Sequence, residues 1–216
     1  MLTGISDTDK VRLINSFPSS LRQDVEEAIK VLPADHNVVL ADGQIHSIDG
    51  LIHPTEYSVI LDGELLTIPY RNYYNEPTPA KEKLLTPRQK AIMNCIYLRH
   101  HNGFVRQRRL EQLIDTTDNF VIPYTIQLLG EYVMEILEIL ERHINGKTID
   151  SYINFINENR KYWQQTESRM ISYWNEYYRR PMYPKYLPPK YATRKEYIGQ
   201  QIVDKLKKRT HNIVSS

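Results

Sequence analysis

The apolar positions of the chain change period twice. Leu21, Val25, Ala28, Ile29 and Leu32 fall at spacings of 4, 3, 1 and 3, the stripe of an amphipathic helix. Pro33 stops it, and Phe17-Pro18-Ser19-Ser20 separates it from an earlier helix that Ser6 caps, with Asp7 and Asp9 near its positive end. Between residues 37 and 74 the period shortens to that of strands. Val38-Val39-Leu40 runs into Asp42-Gly43 and then Ile45, and Tyr57 to Leu61 runs through Asp62-Gly63 into Glu64 to Ile68. An Asp-Gly pair between two β-rich runs predicts a type I′ hairpin turn, because both central positions need φ > 0. Pro69 cannot donate to a ladder and ends the second run. The segment predicts a small antiparallel sheet of two to four strands.

From Thr86 onward the pattern is helical. Thr86, Pro87 and Gln89 form a capping-box signature for a helix reaching about His101, which Asn102-Gly103 should end. A short helix follows over Val105 to Ile114. Ile122, Ile126, Leu129, Val133, Ile136, Leu140 and Ile144 then step by 4, 3, 4, 3, 4 and 4, predicting one long helix that stops at Asn145-Gly146. Ile149, Ile153, Ile156, Trp163, Met170, Trp174 and Tyr177 predict a second, from Thr148 to near Arg179. The short Asn145–Lys147 connection favours an antiparallel helical hairpin, with coiled-coil dimerisation as the alternative. Four prolines between Pro181 and Pro189 predict extended, polyproline-like chain to Tyr191. A last helix is expected over Arg194 to Lys208, with Thr210 to Ser216 frayed. The fold class expected is α+β, mostly α. Residues 1–80 form a small α+β part, 81–180 a helical bundle, and 181–216 a Pro-rich segment with a basic helix, together one compact unit.

Composition narrows this picture mainly by exclusion. The 216 residues are 41% hydrophobic and 25% charged, as in a soluble globular protein. The N-terminus lacks a signal-peptide core, and no run approaches the about 20 apolar residues that span a membrane, so a cytoplasmic protein without membrane contact is expected. Cys95, the lone cysteine, suits a reducing compartment and reads as a small buried hydrophobe rather than a reactive thiol.

No dinucleotide-binding or P-loop glycine motif, nucleophile elbow, H-E-x-x-H or C-x-x-C occurs. His46, Asp49 and His53 lie close together, but their spacing matches no zinc pattern and Asp49-Gly50 is ordinary turn chemistry. No cofactor, metal or catalytic residue is therefore assigned, and the balance leans away from an enzyme. An enzyme with dispersed catalytic residues is a third reading.

Charge changes the picture more. Residues 159–216 hold 13 bases and 4 acids, a balance of +9, whereas the rest of the chain holds 15 and 22, a balance of −7. The basic part also carries 8 of the 16 tyrosines and both tryptophans. Such a mixture serves a protein interface, a single-stranded nucleic acid, or packing of the tail on its own acidic body. Binding residues are therefore sought at Trp174, Tyr177, Tyr178, Arg179 and Arg180, and at Lys205, Lys207, Lys208 and Arg209. A second candidate is Arg106, Arg108 and Arg109 beside His100-His101, where helix, glycine turn and basic helix invite comparison with helix-turn-helix DNA readers. The competing expectation is a solvated face pairing with Glu131, Glu135, Glu138 and Glu141 on the next helix.

The stretches IHPTEYSVILDGELLTIPYR, RHHNGFVRQRRLEQLI and FVIPYTIQLLGEYVMEIL, within residues 50–145, resemble a group of uncharacterised bacterial proteins. The resemblance implies no activity and no functional residues. It carries at most an association with toxin–immunity or defence proteins. The leading functional expectation is a non-enzymatic protein, monomer or homodimer, that acts by binding another protein. The alternative is a nucleic-acid-binding protein that uses Arg106–Arg109 or the basic aromatic tail.

Overall fold

The computed structural model describes residues 5–33, 37–39, 45–47, 51–179 and 193–214, with backbone alone at 37–39, 45–47 and 210–214. The fold is α+β and mostly α, as its periodicities predict. It divides into two compact units, Met1–Gln112 and Leu113–Ser216. The change of character expected near residue 80 falls inside the first.

The first unit opens with helix α1 (Asp7–Ile14), capped by the Ser6 hydroxyl, which accepts from the Asp9 N–H. Helix α2 (Arg22–Lys30) buries Val25, Ala28 and Ile29 and packs on α4 (Pro87–Tyr97). The expected sheet is two separate two-stranded ladders. Strand β1 (Asn37–Val39) pairs antiparallel with β2 (Ile45–Ser47), and β3 (Glu56–Leu61) with β4 (Glu64–Pro69). At the β3–β4 turn Asp62 has φ 52° and Gly63 φ 80°, so both central residues are left-handed, as a type I′ turn requires. Val59 and Leu66 are paired across the ladder and both buried, and Leu61 and Ile68, which lie on the same face opposite other partners, are buried too. The connector expected after residue 74 contains one helical turn, α3 (Pro79–Glu82), capped by Thr78.

The Thr86–Gln89 capping box of α4 is complete in both directions. The Asn102-Gly103 expectation is corrected. Asn102 begins the next helix, α5 (Gly103–Glu111), its side chain accepting from the Phe104 N–H at 2.9 Å. The α4–α5 connection is held by a parallel bridge between Asn72 and His100: the Asn72 N–H donates to Arg99 O, and the His101 N–H to Asn72 O. Cys95 is buried inside α4.

In the second unit neither long helix is continuous. The first consists of α6 (Ile122–Ile126), a tighter 3₁₀ stretch over Gln127–Gly130, extended residues at Glu131 and Val133, and α7 (Met134–His143). The second breaks at Asn159, where φ is −126° and ψ 46°, into α8 (Ile149–Glu158) and α9 (Arg160–Trp174). It then widens into a π turn over Asn175–Arg179. The predicted apolar stripe is nevertheless the core. Leu129, Ile136, Leu140, Ile153 and Trp163 are buried within the single chain, with Val133 and Ile156 half-buried at the margin. The breaks let shorter pieces cover one another: α6 packs on α8, and the 3₁₀ stretch on α9.

The last helix, α10 (Ile198–Val214), starts later than predicted and continues through residues expected to fray. Tyr197, Ile202, Val203 and Leu206 are buried, and the helix packs on α7, α8 and α9. Burial of such side chains is worth about 1.5–3 kcal/mol each, enough to fix the position of the helix without its charges. Among the described residues no helix is long and apolar enough to cross a membrane.

Candidate interaction surface

The three arginines of α5 are committed inside the first unit. Arg109 is 3% exposed. Its Nε donates to Glu76 at 2.9 Å, its Nη2 and Nη1 to the two Glu82 oxygens at 2.6 and 3.2 Å, and its Nη1 also to Asn94 Oδ1 at 3.2 Å. Its guanidinium lies 4.9 Å from the Tyr97 ring centroid. Burial opposes the Arg109 charge, but Glu82 and Glu76 outweigh it and hold the guanidinium above its ordinary pKa. Arg108 pairs with the other oxygen of Glu76. Arg106 is buried, and its Nη1 donates to the carbonyls of His100 and His101 at 2.6 and 2.9 Å, closing the chain end that follows α4.

The predicted partners for these arginines, Glu131 to Glu141, are replaced by Glu76 and Glu82 in the case of Arg108 and Arg109, and by backbone carbonyls in the case of Arg106. Of the His46, Asp49 and His53 cluster, Asp49 and the His46 side chain lie outside the described residues. His53 Nδ1 accepts from the Thr55 N–H at 3.1 Å.

The basic residues of α10 meet acids of their own unit. Lys205 Nζ is 3.0 Å from Glu141 Oε1 on α7, and Lys207 Nζ is 2.6 Å from Glu167 Oε1 on α9. Arg209 grips Asp150 on α8 with two bonds of 3.0 and 3.2 Å. The Arg209 hydrogen bond holds the Asp150 carboxyl below its ordinary pKa. Lys208 is exposed. Exposed pairs of this kind are weak, so they orient the helix while its apolar face anchors it.

The aromatic half of the tail is arranged differently. The π turn brings Tyr177 below Tyr173, with centroids 5.9 Å apart, and both reach a residue that the continuous-helix reading hid, Tyr132. Tyr132 sits between the extended residues Glu131 and Val133, in the break before α7. Its ring stacks on Tyr177 at 4.9 Å with 25° between planes, and meets the edge of Tyr173 at 5.7 Å. Tyr178 donates its hydroxyl to the Tyr132 carbonyl and tilts against buried Tyr197 at 5.2 Å.

Burial, with a smaller contribution from Tyr178, raises the pKa of the Tyr197 hydroxyl. Arg179 reaches back over Trp174, 5.8 Å from its ring, and donates to Asn175 Oδ1 at 3.0 Å. Trp174 is buried, whereas Tyr132 and Tyr177 remain 47% and 43% exposed. Of the predicted aromatic residues, Tyr177 therefore reaches the surface, Trp174 is buried, Tyr178 is half-buried against Tyr197, and Arg180 lies outside the described residues.

The resulting surface has two rigid aromatic rings facing solvent. Both are held by neighbours from a separate stretch of chain. Each ring pairs an apolar body with a polar hydroxyl. No family model, curated protein or solved structure matches the chain.

Proposed function

We propose that the protein acts by binding another protein, and that Tyr132, Tyr173 and Tyr177 form the contact. One observation carries this reading. Lys205, Lys207 and Arg209 of α10, and Arg108 and Arg109 of α5, lie on carboxylates of their own units, while Tyr132 and Tyr177 stack with about half of each side chain in water. A phosphate-tracking surface needs its cations directed outward. Tyrosines of fixed orientation lose little rotamer freedom on contact and are common anchors of protein interfaces. The buried thiol of Cys95 accords with a reducing compartment, where we place the protein. The immunity or defence association rests on the resemblance alone.

The test is a binding measurement. A protein captured by the wild type is purified and titrated against wild type and a Tyr132→Ala/Tyr177→Ala variant. Loss of two such anchors should weaken binding by about 2 kcal/mol or more, at least thirtyfold. Unchanged affinity would reject the surface. Salt-sensitive, submicromolar binding of single-stranded DNA or RNA that Lys205→Ala, Lys207→Ala, Lys208→Ala and Arg209→Ala together abolish would reverse the reading toward nucleic acid.

A further inference from the structure

His143 ends α7 with its side chain wholly buried, joined to three other segments of the second unit. Its Nε2 lies 3.2 Å from the carbonyl oxygen of Thr116, in the connector before α6. Its Nδ1 lies 2.8 Å from the hydroxyl of Tyr152 on α8. That hydroxyl is 2.7 Å from Thr125 Oγ1 on α6, which itself lies 3.2 Å from the carbonyls of Val121 and Ile122. The main chain of His143 is held as well: its carbonyl accepts from the Thr148 hydroxyl, which accepts from the Asn145 N–H at 3.1 Å. One imidazole thus fastens the turn between α7 and α8 to the connector and to α6.

The proton positions follow from the donor inventory. A carbonyl only accepts, so Nε2 must carry a hydrogen toward Thr116. In the neutral imidazole Nδ1 is then a bare acceptor, and the Tyr152 hydroxyl donates to it. Adding a proton to Nδ1 reverses that bond. Tyr152 must then donate to Thr125, and Thr125 to the α6 carbonyls. Every hydrogen bond survives, but a positive charge is enclosed.

Among the described residues Tyr152 is the titratable side chain that touches the ring. The ionic groups of the surrounding elements are directed elsewhere. Asp115 and Asp118 of the connector and Arg142 of α7 are exposed. Glu141 holds Lys205, and Asp150 holds Arg209. Lys207 of α10 holds Glu167, Asp204 accepts from Gln200, and Lys208 and Glu158 are exposed. Tyr124 of α6 is buried.

We propose that the His143–Tyr152–Thr125 chain is an acid-operated latch, which keeps the α7–α8 turn closed while His143 is neutral and favours its opening when His143 takes up a proton. Burial lowers the His143 pKa, and the bond to Thr116 opposes this only in part. The sign is fixed by linkage. At pH values above that of an ordinary histidine, about 6.5, closed and open turns are both neutral and the latch has its full strength. Below it, the opened turn binds the proton that the closed one refuses. Opening should then increase up to about tenfold per pH unit, until His143 protonates in the closed state as well.

Hydrogen exchange of the full chain between pH 7.5 and 5, corrected for intrinsic rates, tests this on the amides of residues 143–152, with amides of α9 as the internal control. The expected result is an opening constant for the turn that rises toward tenfold per pH unit below pH 6.5 while α9 does not follow. His143→Gln, which keeps a donor for Thr116 but cannot titrate, should abolish the slope. Tyr152→Phe should raise opening at pH 7.5 and keep the slope. Should either variant fail to fold, nitrogen chemical shifts of the wild-type His143 ring decide: a neutral Nε2–H form persisting below pH 6 supports the latch. A flat profile, a slope that survives His143→Gln, or a ring that titrates like a solvent histidine would overturn it.

Discussion

The hydroxyl of Tyr178 donates to the backbone carbonyl of Tyr132, 46 residues earlier in the chain. That bond joins two irregularities, the π turn after α9 and the extended break before α7. Each is unfavourable by itself. A π turn departs from the preferred helical geometry, and a break leaves carbonyls without helical partners. Here the wider turn supplies the donor that the break lacks. Tyr178→Phe should therefore cost only about 0.5–1.5 kcal/mol of stability, since the bond is exposed. It should also increase hydrogen exchange near residue 132 more than elsewhere. Equal exchange in variant and wild type would show that the break holds its shape without this bond.

Arg109 is the structural keystone of the first unit. Its guanidinium is enclosed by Glu76, Glu82, Asn94 and the Tyr97 ring. Removing one member of a buried ion cluster leaves the others without compensation, at about 3–5 kcal/mol. Arg109→Met should lower the unfolding free energy by that amount in denaturant titrations, while Arg108→Met, at an exposed pair, should cost under about 1 kcal/mol. Similar losses for the two variants would mean that burial does not separate them.

The sequence made some local geometry readable and hid the rest for definite reasons. Asp62-Gly63, the Ser6 cap and the Thr86–Gln89 box were readable because each is completed by residues at most three positions apart. The break at 131–133 was not, because Leu129, Val133 and Ile136 keep helical spacing straight across it and no proline marks it. Gly130 is the sole local hint. Tyr132 therefore looked like an ordinary position off the stripe.

Asn102-Gly103 is ambiguous in sequence because an Asn-Gly pair serves either end of a helix, and here the Asn102 side chain caps the helix that follows. Arg108 and Arg109 showed their charge but not their carboxylate partners, which lie 27 to 33 residues away. The fate of the basic tail followed from magnitudes. An apolar face on its helix had to be buried, and Ile202, Val203 and Leu206 are.

The β3–β4 turn makes a sharper test than most. Gly63 has φ 80°, and a Cβ built there meets nothing within 4 Å. Any penalty on substitution is then conformational rather than steric crowding. Gly63→Val, with a β-branched side chain in the left-handed region, should cost about 1–2 kcal/mol in thermal melts. Gly63→Asn, which tolerates that region, should cost clearly less. Equal losses would contradict the turn geometry.

His100 should give the first unit an acid response of its own. Burial, then the neighbouring His101 charge, lowers its pKa to about 4, with hydrogen bonds to Tyr74 and Asn102 opposing and Arg106 adding to the lowering. The folded pKa is below the unfolded value of about 6.5. Its contribution is therefore fully present above pH 6.5 and is lost as the pH falls toward 4, because the unfolded chain binds the proton first. The loss amounts to about 3 kcal/mol across that window. Proton NMR should show His100 neutral at pH 5.5, where an exposed histidine is largely charged. A solvent-like titration of His100 would remove the effect.

Gly199, in the first turn of α10, sets two ordinary rules against each other. By helix propensity alone, alanine should stabilise the position by about 0.5–1 kcal/mol. The packing says otherwise: an added Cβ would stand 2.6 Å from Tyr197 Cε1 and 2.9 Å from Met170 Cγ. Met170 is flexible, but it is fully buried on α9. The Tyr197 ring is buried as well and leans on Tyr178 at 5.2 Å. Both neighbours would have to move within a filled core, and overpacking of this kind costs about 1–3 kcal/mol. Gly199→Ala should therefore destabilise by about 1–2 kcal/mol net. Because Tyr197 leans on Tyr178, the damage should spread to the Tyr132–Tyr173–Tyr177 stack although residue 199 is buried. A melt in which Gly199→Ala is as stable as wild type, or more so, would show that α10 is not seated on α9 by this contact.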